Sequence, residues 1–130
     1  MGLTLVGTMI VSCLDDENTE TFSYKYSAID SISVDTIMPV FRVTEIKTYF
    51  KTTNSCQQFY NYDYTALGKE RTVAAVIAED QNQSCEEIIS NQESVLKFRP
   101  EARGIYTFRF WNGRDADGQD QFIIKEIQVN

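Results

Sequence analysis

The sequence predicts an all-β fold, a two-layered antiparallel sandwich, and three observations predict it. Short runs rich in Val, Ile, Tyr, Phe and Thr recur along the chain, separated by Asn, Asp, Gly and Pro. The run GIYTFRFW at 104–111 alternates, with Tyr106, Phe108 and Phe110 on one face and Thr107, Arg109 and Trp111 on the other. A face that is aromatic throughout has to meet a second sheet. Finally, about 110 of the 130 residues follow the N-terminal 20, enough for one core and too few for two domains.

The strands are expected at 21–37, 41–53, 57–65, 71–79, 94–98, 104–111 and 121–129, and the first is long enough to be two, broken near Asp30. Within 71–79 the segment AAVIA has helical propensity, but Thr72, Val73, Val76 and Ile77 and its short length favour a buried strand. Only SCEEIISNQ at 84–92 reads as a helical turn. RPEARG, with Pro100 and Gly104, is a turn between strands, and NGRDADGQD is a hairpin loop before the closing strand QFIIKEIQVN. About seven short strands in a chain of this length imply a sandwich of the immunoglobulin-like kind.

The apolar run MGLTLVGTMIVS at 1–12 is too short for a membrane-spanning helix, which needs about 20 apolar residues. Its length suits the core of a secretory signal peptide. Ile10, Val11, Ser12 and Cys13 resemble a bacterial lipobox, with a branched apolar residue three before the cysteine and a small one just before it. The spacing has a chemical reason: the Cys13 thiolate takes up the diacylglycerol, and the small Ser12 lets a peptidase reach the adjoining bond. MGLTLVG lacks the Lys or Arg that opens a signal peptide, so either the natural start lies upstream or the export signal is a weak one. A buried N-terminal strand over 3–12 is the alternative. The sequel LDDENTE is too charged to continue such a strand and suits a solvated tether. The expected organisation is a leader and acidic tether over 1–20 and one sandwich domain over 21–130.

Lipid on Cys13 leaves Cys56 and Cys85 of the three cysteines, an even pair that an oxidising compartment is expected to bridge. Two free buried thiols are the other reading. The chain has no His, which excludes a Cys–His nucleophile pair and a His-type zinc site, and no cofactor is implied. A net charge of −7 with the basic residues scattered argues against nucleic acid or an anionic membrane surface as a partner, because phosphate contacts need clustered Lys and Arg.

The acidic residues just after Cys13 resemble the export signal of surface lipoproteins in Bacteroidetes. So does the whole layout: a lipobox, an acidic tether, Cys56 after an Asn-Ser turn, ERTVAAVIAED, Cys85, then GIYTFRFWNG. It is similar to small lipoproteins of that type with an immunoglobulin-like domain. The resemblance implies a lipid-anchored protein of the bacterial cell envelope, at the outer membrane, with exposure at the cell surface as a further expectation. It brings no active-site residues.

Few stretches carry chemistry. DADGQD at 115–120 resembles the centre of an EF-hand, but aligning Gly118 with the required glycine puts Gly113 where the first carboxylate belongs and Ile124 where the bidentate Glu belongs. The acid pairs Asp15–Asp16 and Glu86–Glu87 have no partner suited to acid–base catalysis. In FYNYDY at 59–64, alternation puts Tyr60, Tyr62 and Tyr64 on one face and Phe59, Asn61 and Asp63 on the other. The tyrosine row either fills the sandwich or lies exposed, where with Trp111 it would form a patch for stacking sugar rings. The functional expectation is a noncatalytic envelope lipoprotein that binds a partner protein or envelope component; the alternative is a glycan-binding module using Tyr60, Tyr62, Tyr64 and Trp111.

Overall fold

The computed structural model describes residues 21–130, so the lipobox with Cys13, the acidic tether and the alternative strand over 3–12 lie outside the described residues. The chain is an all-β sandwich, with no helix among the described residues. Nine strands form where about seven were expected: β1 Phe22–Ser27, β2 Ile29–Ser33, β3 Ile37–Met38, β4 Thr44–Asn54, β5 Gln57–Leu67, β6 Glu70–Asp80, β7 Glu87–Phe98, β8 Gly104–Arg114 and β9 Asp120–Val129. The division of the first stretch falls at Ala28 rather than at Asp30. It sends β1 into the larger sheet and β2 into the smaller.

The smaller sheet runs β2-β4-β7 and is antiparallel throughout. The larger runs β1-β6-β8-β9-β3, with β5 on the far edge of β6. Two of its pairings are parallel, β6 with β8 and β3 with β9, which corrects the expectation of a purely antiparallel sandwich. The cause of the first is connectivity. Because β7 crosses to the smaller sheet, the chain reverses twice between β6 and β8 and returns in the direction of β6. The expected helical turn over 84–92 is also corrected: from Glu87 onward it is the start of β7, whose residues pair with β4 as far as Asn54. That long-range ladder overrides a weak local propensity.

Alternation explains the core. β4 buries Ile46, Thr48, Phe50 and Thr52, β6 turns Val73, Ala75 and Ile77 inward, and β8 contributes Tyr106, Phe108 and Phe110, as the sequence predicted. Phe98 of β7 meets Tyr106 and Phe108 edge-on at 5.3 and 5.0 Å, and Phe108 stacks on Phe110 at 5.8 Å. Between β5 and β6 the loop is two residues, and Gly68 takes φ 60° at its first position, where a type II′ turn needs glycine. DADGQD is a hairpin loop: the Asp115 carboxylate accepts from the amides of Asp117 and Gln119, each at 2.9 Å, and Gly118 takes φ 80°.

Cys56 and Cys85 form a disulfide, with Cα atoms 5.5 Å apart. It ties the β4–β5 turn to the segment entering β7. Beside it the Ser55 amide donates to the Glu86 carbonyl and the Glu86 amide to the Ser55 hydroxyl, both at 2.9 Å.

Candidate functional site

One edge of β6 serves two strands. Residues 70–73 pair with β8 and residues 75–80 with β1, so the sheet forks at Ala74. Side chains that point away from the core at this fork are small on β6, namely Thr72 and Ala74, and Thr65 sits opposite Thr72 on β5. The flanking strands carry large ones: Tyr26 from β1, Trp111 from β8 and Phe122 from β9, the last two directly paired. A small floor between tall aromatic walls leaves a cleft of about 230 Å³ on the outer face of the larger sheet, completed by Asp63, Arg114 and Asp120.

Its walls are held by hydrogen bonds. Tyr26 and Trp111 pack at 5.5 Å with their rings tilted by 59°. The Tyr26 hydroxyl donates to Asp63, while the Trp111 indole N–H and Arg114 Nε both donate to the same Asp120 oxygen at 3.0 Å. Those two donors hold the Asp120 carboxyl below the usual carboxylate range. The bond to Asp63 pushes the Tyr26 phenol above its ordinary value, with burial and the charges of Asp63 and Asp120 adding to it. At neutral pH, Tyr26 is therefore a neutral donor and Asp120 an ionised acceptor. Arg114 keeps its two terminal nitrogens as donors, and each carboxylate keeps a second oxygen as an acceptor. Arg109 stacks its guanidinium 4.2 Å from the Phe122 ring centre, which covers one face of that ring.

Trp111 was expected to face away from Tyr106, Phe108 and Phe110, and it does, as a half-buried wall of the cleft. The tyrosine row is corrected. A β-bulge between Phe59 and Asn61 inserts one extra residue, so the alternation breaks at Tyr60. Tyr60 is 60% exposed and stacks against Tyr24 at 4.8 Å, whereas Phe59, Tyr62 and Tyr64 pair with the inward residues Ile77, Ala75 and Val73. Tyr62 reaches into the core, its hydroxyl 2.8 Å from the Thr48 hydroxyl and its ring edge-on to Phe59. Tyr64 lies toward the open end of the sandwich, where partial burial raises its phenol pKa and Arg71 opposes the shift. The three tyrosines do not form one surface, and only Tyr60 shares the outer face with Trp111.

The two classes should separate by stability. Tyr62→Ala, which removes a partly buried ring and its hydrogen bond to Thr48, is expected to cost more than about 1 kcal/mol, and Tyr60→Ala no more than about 0.5 kcal/mol. Denaturant melts of the two variants check this, and similar losses in both would refute the bulge.

Sequence reasoning missed Tyr24, Tyr26, Asp63, Arg114, Asp120 and Phe122. A signal existed for the first two, since Phe22, Tyr24 and Tyr26 alternate in FSYKYS and so share a face. None existed for the charged residues, which are brought together by the fork and the β8–β9 hairpin. Among the described residues no cluster of three or more Cys, Asp or Glu is arranged to hold a metal ion. Comparison with protein-family models, with curated proteins and with solved structures finds no match to this chain.

Proposed function

We propose that this chain is a noncatalytic binding module of the bacterial cell envelope, anchored by lipid on Cys13, and that its ligand, a glycan, seats a sugar ring in the fork cleft. The observation that carries the reading is the cleft itself: tilted aromatic walls bearing carboxylate acceptors and guanidinium donors around a floor of Thr65, Thr72 and Ala74. Ring faces stack on the C–H faces of a pyranose, and adjacent donors and acceptors suit its neighbouring hydroxyls. The volume is below the 300–1,000 Å³ typical of sites for drug-sized ligands, which matches one ring. A binding role is favoured over catalysis because Trp111 and Arg114 hold the Asp120 carboxyl below the usual carboxylate range, which makes it a weak general base and a poor general acid. A protein partner is the second reading. It is favoured by Ile88 and Ile89 on β7, 50% and 69% exposed.

An array of immobilised neutral glycans tests the main reading. The wild type is expected to retain at least one glycan and Trp111→Ala to lose retention about tenfold or more, since removing one stacking wall at about 1.4 kcal/mol is a factor of ten. Equal retention by the variant would exclude the cleft. Anchoring is tested separately. In a host that processes lipoproteins, the chain should enter the membrane fraction carrying labelled fatty acid, and Cys13→Ala should be soluble and unlabelled. An unlabelled, soluble wild type would refute the anchor.

A further inference from the structure

The aromatic surface continues beyond the cleft. Tyr24 and Tyr26 are two apart on β1 and point to the same face, about 7 Å from one another along the strand. Each meets a second ring: Tyr26 packs on Trp111, and Tyr24 packs on Tyr60 with their planes tilted by 55°. Tyr24 and Tyr60 are among the most exposed aromatics of the described residues, at 52% and 60%. The bulge at Tyr60 is what turns that ring outward to meet Tyr24. Gln58, opposite Ala78 on β5, and Asn61, opposite Val76, add amide groups beside the two ring pairs.

Resting on the reading of the cleft as a sugar site, we infer that the cleft is one end of a track along β1, and that its ligand is an uncharged glycan chain of several units, not a single sugar. Two tilted ring pairs, carried by residues two apart on the same face of β1, offer successive stacking stations to a chain. Charge argues for an uncharged one. Asp63 and Asp120 face Arg114 in the cleft, and the protein's net charge of −7 repels a polyanion. A proline-rich peptide would also find aromatic walls, but it carries few hydrogen-bond donors. It would bury the open oxygens of Asp63 and Asp120 without partners, whereas sugar hydroxyls supply them.

The test is calorimetric or NMR titration of the whole chain with ladders of neutral gluco- and manno-oligosaccharides of one to six units. Affinity is expected to rise at least tenfold from the single sugar to the tetramer in one of the ladders. Tyr60→Ala should remove most of that gain and leave single-sugar affinity unchanged, while Trp111→Ala should weaken both. Unchanged melting of Tyr60→Ala separates this from a folding defect. Equal affinity along the ladder, or an undiminished gain in Tyr60→Ala, would overturn the track and leave the cleft reading standing. Failure of every sugar to bind would overturn both, as would tight binding of a proline-rich peptide in their place.

Discussion

Replacing Phe108 with Ala is expected to lower the unfolding free energy by about 3–5 kcal/mol, the range measured for fully buried aromatics. Phe108 has no exposed surface, and its ring contacts Phe98 edge-on and Phe110 by stacking. It also sits on the strand bonded to both β6 and β9, so the cavity would open between the sheets with little freedom to collapse. A domain of this size has a total stability of about 5–15 kcal/mol, so the variant should approach the unfolding threshold. Urea melts check this. A loss below about 1 kcal/mol would mean that the aromatic face of β8 does not form the centre of the core.

The second large effect concerns the disulfide. The Cys56 and Cys85 positions are 29 apart in sequence, and the chain-entropy relation gives about 3.5 kcal/mol for closing a loop of that length. The bridge holds β5 of the larger sheet near the entry to β7 of the smaller, at the end where the β4–β5 turn passes between sheets. The double variant Cys56→Ala, Cys85→Ala should therefore melt well below the wild type. Reductant should lower the wild type to a similar midpoint and leave the double variant unmoved. A wild type indifferent to reductant at concentrations that open its disulfide would contradict the account.

What the sequence made legible was whatever alternation and composition decide locally. The inward set Tyr106, Phe108 and Phe110, the outward Trp111, the hairpin at DADGQD and the strand at ERTVAAVIAED all follow from periods of two and from turn residues. The cysteine pairing followed from counting. What was not legible depended on partners distant in sequence. Residues 87–92 read alone as part of a helical turn and become strand only because β4 offers a ladder to Asn54. The parallel pairing of β8 with β6 depends on β7 lying in the other sheet. The bulge at Tyr60 arises because Phe59 and Tyr62, three apart, both face the core, a spacing that strict alternation cannot satisfy. The candidate site was half-readable for the same reason: Trp111 and Tyr60 were named, but Tyr26, Asp63 and Asp120 meet only where the sheet forks.

The indole N–H of Trp111 gives the most direct test of the binding surface, because the chain has a single Trp and its side-chain N–H signal in a ¹⁵N-correlated spectrum is therefore unambiguous. This proton now bonds to Asp120 in the cleft wall. Titration with the neutral oligosaccharide selected by the glycan array should shift that signal in a saturable manner, together with the amides of residues 24–26 and 72–74. A saturable titration that leaves the Trp111 signal fixed and moves the amides of residues 87–89 would contradict the cleft and place the binding surface on β7.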